Sequence, residues 1–129
     1  MKPELMLLVW AVVLMFVQML VAATGMYMQV GLTKMAGNRD DMPKMAGWAG
    51  RAERAHLNMV ENIALFAPLV LVAVFAGKAN AMTLLGAQIF LWARVAYAVI
   101  YVAGITWVRT LAWAVSVVGL VIIFAQLVK

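Results

Sequence analysis

The sequence predicts an all-α integral membrane protein, a single bundle of four transmembrane helices covering residues 1–129. Three observations carry this. Of the 129 residues, 67% are hydrophobic and only 12% charged, and the mean hydropathy is +1.01, more apolar surface than a water-soluble domain of this length can hide. The apolar residues fall into four runs long enough to cross a hydrocarbon layer of about 30 Å. The net charge of +5 comes from ten Lys and Arg scattered between those runs, which form no basic face and so argue against a nucleic-acid partner. They read instead as topology-setting charges beside spans in a lipid bilayer. There is no cysteine, so the chain itself offers no disulfide and no thiolate nucleophile. One histidine argues against a bis-histidine haem site built within one chain, and no metal is expected.

The first span is expected over residues 5–30. Lys2 and the Ala22-Ala23 pair imitate a signal peptide, but the run is longer than a signal core and Glu4 stands in its basic flank, so the helix is retained. Gln18, Ala22, Gly25 and Gln29 form a small and polar seam suited to helix–helix contact. Residues 31–50 make the longest polar connection, with turn formers at Gly37-Asn38, Asp40-Asp41 and Pro43. Its cations Lys34, Arg39 and Lys44, followed at once by Arg51 and Arg54, make this the cytoplasmic loop and leave the N-terminus and C-terminus outside.

The second span is expected over residues 51–76, with a mild kink where Pro68 frees the carbonyl of Ala64. The turn Gly77-Lys78-Ala79-Asn80 is short enough to make the second and third helices antiparallel neighbours. The third span, residues 82–105, carries Arg94, Tyr97 and Tyr101 on one face. Gly104 to Arg109 turns the chain into a fourth span, residues 110–128, which contains no ionisable residue and reads as structural. Trp48, Trp107 and Trp113 fall near the cytoplasmic boundary as interfacial anchors.

One stretch does not fit a plain span. At about 100° per residue, Arg51, Arg54, Asn58 and Glu61 lie within about 80° of one another as a polar stripe. Glu61 stands roughly 16 Å along the axis from Gly50 at 1.5 Å per residue. An acid at such depth costs on the order of 2.5–3.5 kcal/mol on insertion scales, so it must face protein or water. The alternating topology brings this stripe to the membrane side where Arg94, Tyr97, Tyr101 and Arg109 also gather. Arginine, carboxylate, amide and phenol together suit an anionic, hydrogen-bonding ligand with an amino group. Glu61 could instead simply neutralise one arginine, but the two stripes leave positive charge over. His56 points away from the stripe, Glu53 lies near its mouth, and the methionines are pliable packing.

The run Arg51-Ala52-Glu53-Arg54-Ala55-His56-Leu57-Asn58-Met59-Val60-Glu61 resembles the membrane-associated proteins in eicosanoid and glutathione metabolism, the MAPEG family. So does Ala93-Arg94-Val95-Ala96-Tyr97-Ala98-Val99-Ile100-Tyr101, while Gly37-Asn38-Arg39-Asp40-Asp41-Met42-Pro43 is similar to the bacterial branch and points to a bacterial inner membrane. The resemblance covers essentially the whole chain. It implies a homotrimer with glutathione as cosubstrate, held between neighbouring subunits near the cytoplasmic side. Arg51, Arg54, Asn58, Glu61, Arg94, Tyr97 and Tyr101 would bind it, with Glu61 on the amino group. The same resemblance makes Arg109 the catalytic candidate that stabilises the thiolate, although it falls one residue later after Tyr101 than the family spacing, a rotation of about 100° on a helix. Asn62 stands where some eicosanoid-making members carry tyrosine, which weakens a leukotriene-type activity.

The implied chemistry is a guanidinium-favoured thiolate attacking a hydrophobic small molecule or reducing a lipid hydroperoxide. Two other classes compete. One is a non-catalytic trimer of the same fold. The other is a small proton-coupled multidrug exporter, which would carry its deep acid in the first helix and lack the convergent arginines.

Overall fold

The structure, a computed structural model, describes residues 1–129 and holds α-helices only: α1 (Pro3–Val30), α2 (Leu32–Ala36), α3 (Gly47–Phe75), α4 (Ala81–Ala103) and α5 (Val108–Leu127). Four of them, α1, α3, α4 and α5, are long and apolar enough to cross a membrane, so the all-α, four-span architecture is as the sequence predicts. The boundaries differ where local capping overrides the hydrophobic pattern. α3 starts at Gly47, because nothing between Gly47 and Gly50 interrupts a helix, and it runs on through Pro68. α4 stops at Ala103, where Gly104 takes a left-handed conformation (φ 85°) that few other residues adopt without strain. α5 starts at Val108. Arg109 therefore lies in the first turn of the last helix rather than in the turn before it, and that helix does carry an ionisable residue. The polar connection also contains the single-turn α2, which its turn formers did not foretell.

Large apolar side chains such as Trp10, Phe16, Trp92 and Phe124 are exposed on the outer faces, as a hydrocarbon surrounding requires. Inside, Phe66 and Phe90 stack with centroids 4.1 Å apart, among Met59, Val70, Ala87, Leu120 and Ile123.

In lipid, side-chain burial gives helices little reason to associate, so close backbone approach has to supply it. α5 packs chiefly on α4 and α1 chiefly on α3, while α3 and α4 are neighbours across their short turn. The first contact is set by Gly86 and Gly119. A Cβ on Gly86 would stand 2.7 Å from the Gly119 carbonyl oxygen, and one on Gly119 would stand 2.9 Å from the Phe90 nitrogen. The second contact uses the seam on α1: a Cβ on Gly25 would come within 2.6 Å of the Ala49 Cβ. One turn further on, the Gln29 amide accepts from the Ala46 N–H (3.0 Å) and donates to the Ala46 carbonyl (2.8 Å). This ties the end of α1 to the start of α3.

The opposite end of the bundle is tied by polar groups. Asn80 caps α4 by accepting from the Met82 and Thr83 N–H groups, both at 2.9 Å, while Thr83 Oγ1 accepts from the Asn80 N–H at 2.7 Å, a reciprocal capping box. Asn80 also donates to Gln126 Oε1 at 3.0 Å, and Lys78 Nζ donates to the Leu127 carbonyl at 2.9 Å. Glu4, read from sequence as a flanking charge, is instead 4% exposed and accepts from Thr83 Oγ1 at 3.2 Å. Its place beside the amino end of α4 lets the helix dipole stabilise it.

Candidate functional site

The first turns of α3, the last turns of α4 and the first turn of α5 meet at one end of the bundle, because two reversals of direction bring these three ends together. Tyr97 and Tyr101, one turn apart on α4, pack edge to face with centroids 5.5 Å apart and planes at 77°. Arg54 on α3 donates from Nε to the Tyr101 hydroxyl at 3.2 Å. The Arg109 guanidinium sits 4.3 Å from the Tyr101 ring centroid, at cation–π distance. Beside this cluster lies a polar cavity of about 200 Å³ lined by Asn58, Tyr97, Arg109, Thr110 and Trp113.

Tyr101 and Arg109 stand on different helices with the turn at Gly104 between them, and helical phase does not carry across such a break.

Arg54 and Glu61 are exposed on α3 and do not line the cavity. Arg51 donates from Nε to the Val102 carbonyl at 3.0 Å, and its guanidinium covers Gly104, where a Cβ would lie 3.4 Å from Cζ. It thereby satisfies a free carbonyl in the last turn of α4 and complements the negative end of that helix. Arg94 is 1% exposed and does not reach the cavity. Its guanidinium lies 4.3 Å from the Tyr97 ring centroid. So the structure gathers Asn58, Tyr97, Tyr101, Arg54 and Arg109, leaves Glu61 exposed on α3, and sets Arg51 and Arg94 apart.

Three residues join the site that sequence reasoning did not place there. Asn62 is buried and donates from Nδ2 to the Asn58 carbonyl (2.7 Å) and to Asn58 Oδ1 (3.1 Å), which orients the Asn58 amide. Their spacing of four along α3 was the available signal. Thr110 and Trp113 follow Arg109 on one face of α5, so recognising the helix start at Val108 would have found them. Trp113, taken as an interfacial anchor, is also a cavity wall.

The same face of α5 continues away from the cavity. Val117, Leu120, Val121 and Phe124 line an apolar groove of about 520 Å³, whose other wall is Ala64, Leu65, Pro68 and Leu69 of α3. The polar cavity and the apolar groove are two hollows that follow one another along α5, both with α3 as a further wall.

No curated protein and no solved structure matches the chain. A model of the MAPEG family matches residues 5–129, which takes in all four membrane helices and every residue of the cavity and the groove. Matched from its first span to its last residue, the chain belongs to the MAPEG family.

Proposed function

We propose that this protein is a glutathione-dependent membrane transferase or peroxidase, working as a homotrimer on hydrophobic electrophiles or lipid hydroperoxides. The observation that carries the reading is the succession of two hollows along α5: a polar cavity bearing Asn58, Tyr97 and Arg109, and further along the same helix an apolar groove. A polar thiol and an apolar electrophile can meet there, the first from water and the second from the bilayer.

The residues divide the work by charge. Arg54 and Arg109 are cations for the carboxylates and the sulfur of glutathione, Glu61 takes its amino group, and Asn58, aimed by Asn62, hydrogen-bonds its backbone. Arg109 lies at the cavity wall, and a guanidinium there stabilises a thiolate directly. The thiol proton leaves to water. The sulfur then forms a bond to the electrophilic carbon as a leaving group departs with its electron pair, or as the pair of an activated double bond shifts and is protonated from water. With a hydroperoxide it bonds to the terminal oxygen as the O–O bond breaks; the alkoxide takes a proton from water to leave as the alcohol, and a second glutathione converts the resulting sulfenic acid to glutathione disulfide and water. A cavity of about 200 Å³ is smaller than the usual 300–1,000 Å³ of a ligand pocket. Glu61 is exposed at membrane depth on the single chain. A neighbouring subunit resolves both facts by closing the site and sheltering the acid from lipid.

The deciding experiment is a glutathione titration of the purified protein followed by thermal unfolding. At a hundredfold excess over Kd, linkage adds about 2.7 kcal/mol, enough for a clear rise in Tm. That rise should be lost in Arg54→Ala and Glu61→Gln. No rise at millimolar glutathione would sink the proposal. Conjugation of a generic electrophile then separates an enzyme from a binding protein.

A further inference from the structure

Arg94 is the most deeply buried charged side chain in the bundle. It is 1% exposed, and none of its Nε, Nη1 and Nη2 atoms has a hydrogen-bond partner. A guanidinium carries five N–H donors, and leaving all of them without an acceptor in a low-dielectric interior is costly. Its neighbour is a ring: Cζ lies 4.3 Å from the Tyr97 centroid, in the geometry of a cation–π contact. Tyr97 in turn lines the cavity that Arg94 does not reach. Arg54 and Arg109 both lie against Tyr101, so Arg94 is the cation whose charge is left unspent.

We propose that Arg94 is a positioning residue, whose buried charge acts through Tyr97. Held against the ring, it orients the Tyr97 hydroxyl toward the cavity and favours the thiolate form of glutathione bound there. The proposal rests on the glutathione reading of the site. Arg94 keeps its proton throughout; the thiol proton leaves to water, and no bond to the arginine forms or breaks. Of the other ionisable groups, Tyr101 on α4 packs edge to face on Tyr97 and Arg109 on α5 lines the same cavity. α3 contributes Arg54, which donates to the Tyr101 hydroxyl, and the exposed Glu61. α1 carries only Glu4 and Tyr27, near its two ends. A cation held against the ring makes the Tyr97 hydroxyl a stronger hydrogen-bond donor, and a donor in a water-excluded site favours an anion far more than it would in water. The charge of Arg94 therefore reaches the sulfur only through that hydroxyl.

The test follows the ultraviolet thiolate absorbance of bound glutathione against pH in purified protein. In Arg94→Met the midpoint should rise by about one pH unit, a tenfold loss of thiolate below both midpoints. Glutathione-dependent thermal stabilisation should persist. Removing an unpaired buried charge is compatible with folding; should Arg94→Met fail to assemble, Arg94→Gln replaces it. Arg94→Lys, which keeps the charge, should recover most of the shift. In a Tyr97→Phe background, Arg94→Met should add little, since the coupling runs through the hydroxyl. An unchanged midpoint in a folded, glutathione-binding Arg94→Met protein overturns the proposal, as does an undiminished effect without the Tyr97 hydroxyl. Absence of stabilisation in the wild-type protein overturns the reading of the site itself, and the inference falls with it.

Discussion

Arg51 and Asn62 show how single side chains prepare a site they do not enter. Arg51 reaches 51 residues along the chain to the Val102 carbonyl and so holds the end of α4 in place beneath the Tyr101 cluster. Arg51→Met should lower stability by about 1 kcal/mol, the scale of a cation at a helix carboxyl end, read as a lower Tm and faster hydrogen exchange at residues 100–103. Asn62→Leu should weaken glutathione binding about fivefold to tenfold at little cost in Tm, since a hydrogen bond worth about 1 kcal/mol to the Asn58 amide is lost. Calorimetry on the purified variant would measure it, and unchanged affinity would mean the Asn58 amide is not a contact. The polar stripe on α3 was legible as a stripe because helical pitch is rigid. Which of its members face the cavity was not, because a long arginine side chain can lean to either side of its Cα. Arg51 leans toward a carbonyl that no local spacing reveals, and Arg94 stays under a ring where its motif position suggested ligand contact.

Among the elements, the pairing of α4 with α5 sets the width of the cavity. Their approach depends on Gly86 and Gly119, each with the other's carbonyl in the space a Cβ would occupy. Gly119→Val should destabilise the protein by about 1–3 kcal/mol through forced separation of the helices, and glutathione stabilisation should diminish with it. A Tm and a glutathione response both equal to wild type would show that the approach is not needed. The seam at Gly25 was visible in the sequence because its small and polar neighbours recur at helical spacing. Gly86 has Thr83 and Ala93, and Gly119 has Ala112 and Ser116, at helical spacing, but which two such seams meet is set by the packing of α4 on α5. Helix existence was likewise legible from hydropathy, whereas helix ends were set by Gly104 and the residues around it. That difference hid the start of α5 at Val108, and with it the place of Arg109 on the same helix face as Thr110 and Trp113.

For the whole molecule, the two ends of the bundle do different work. One gathers Arg54, Asn58, Tyr97, Tyr101 and Arg109 around a cavity. The other is sewn together by Asn80, Thr83, Glu4, Lys78 and Gln126. The charge distribution predicts that the site end faces the cytoplasm. Because the chain has no cysteine, Lys44→Cys and Lys78→Cys give clean single labels. In intact cells an impermeant thiol reagent should modify Lys78→Cys and spare Lys44→Cys. The reverse pattern would invert the topology.

Under the proposed function, the cavity and groove along α5 also dictate how turnover responds to its surroundings. The cavity is supplied from water, the groove from the membrane, so the two reactants are governed by concentrations in different phases. Diluting the protein with extra lipid at constant total substrate should lower the rate for a bilayer-dissolved electrophile in proportion to its mole fraction in the membrane. The dependence on glutathione should stay that of an aqueous solute. A transferase of the proposed kind samples the membrane in two dimensions and water in three, and its apparent KM for the apolar partner is a surface density.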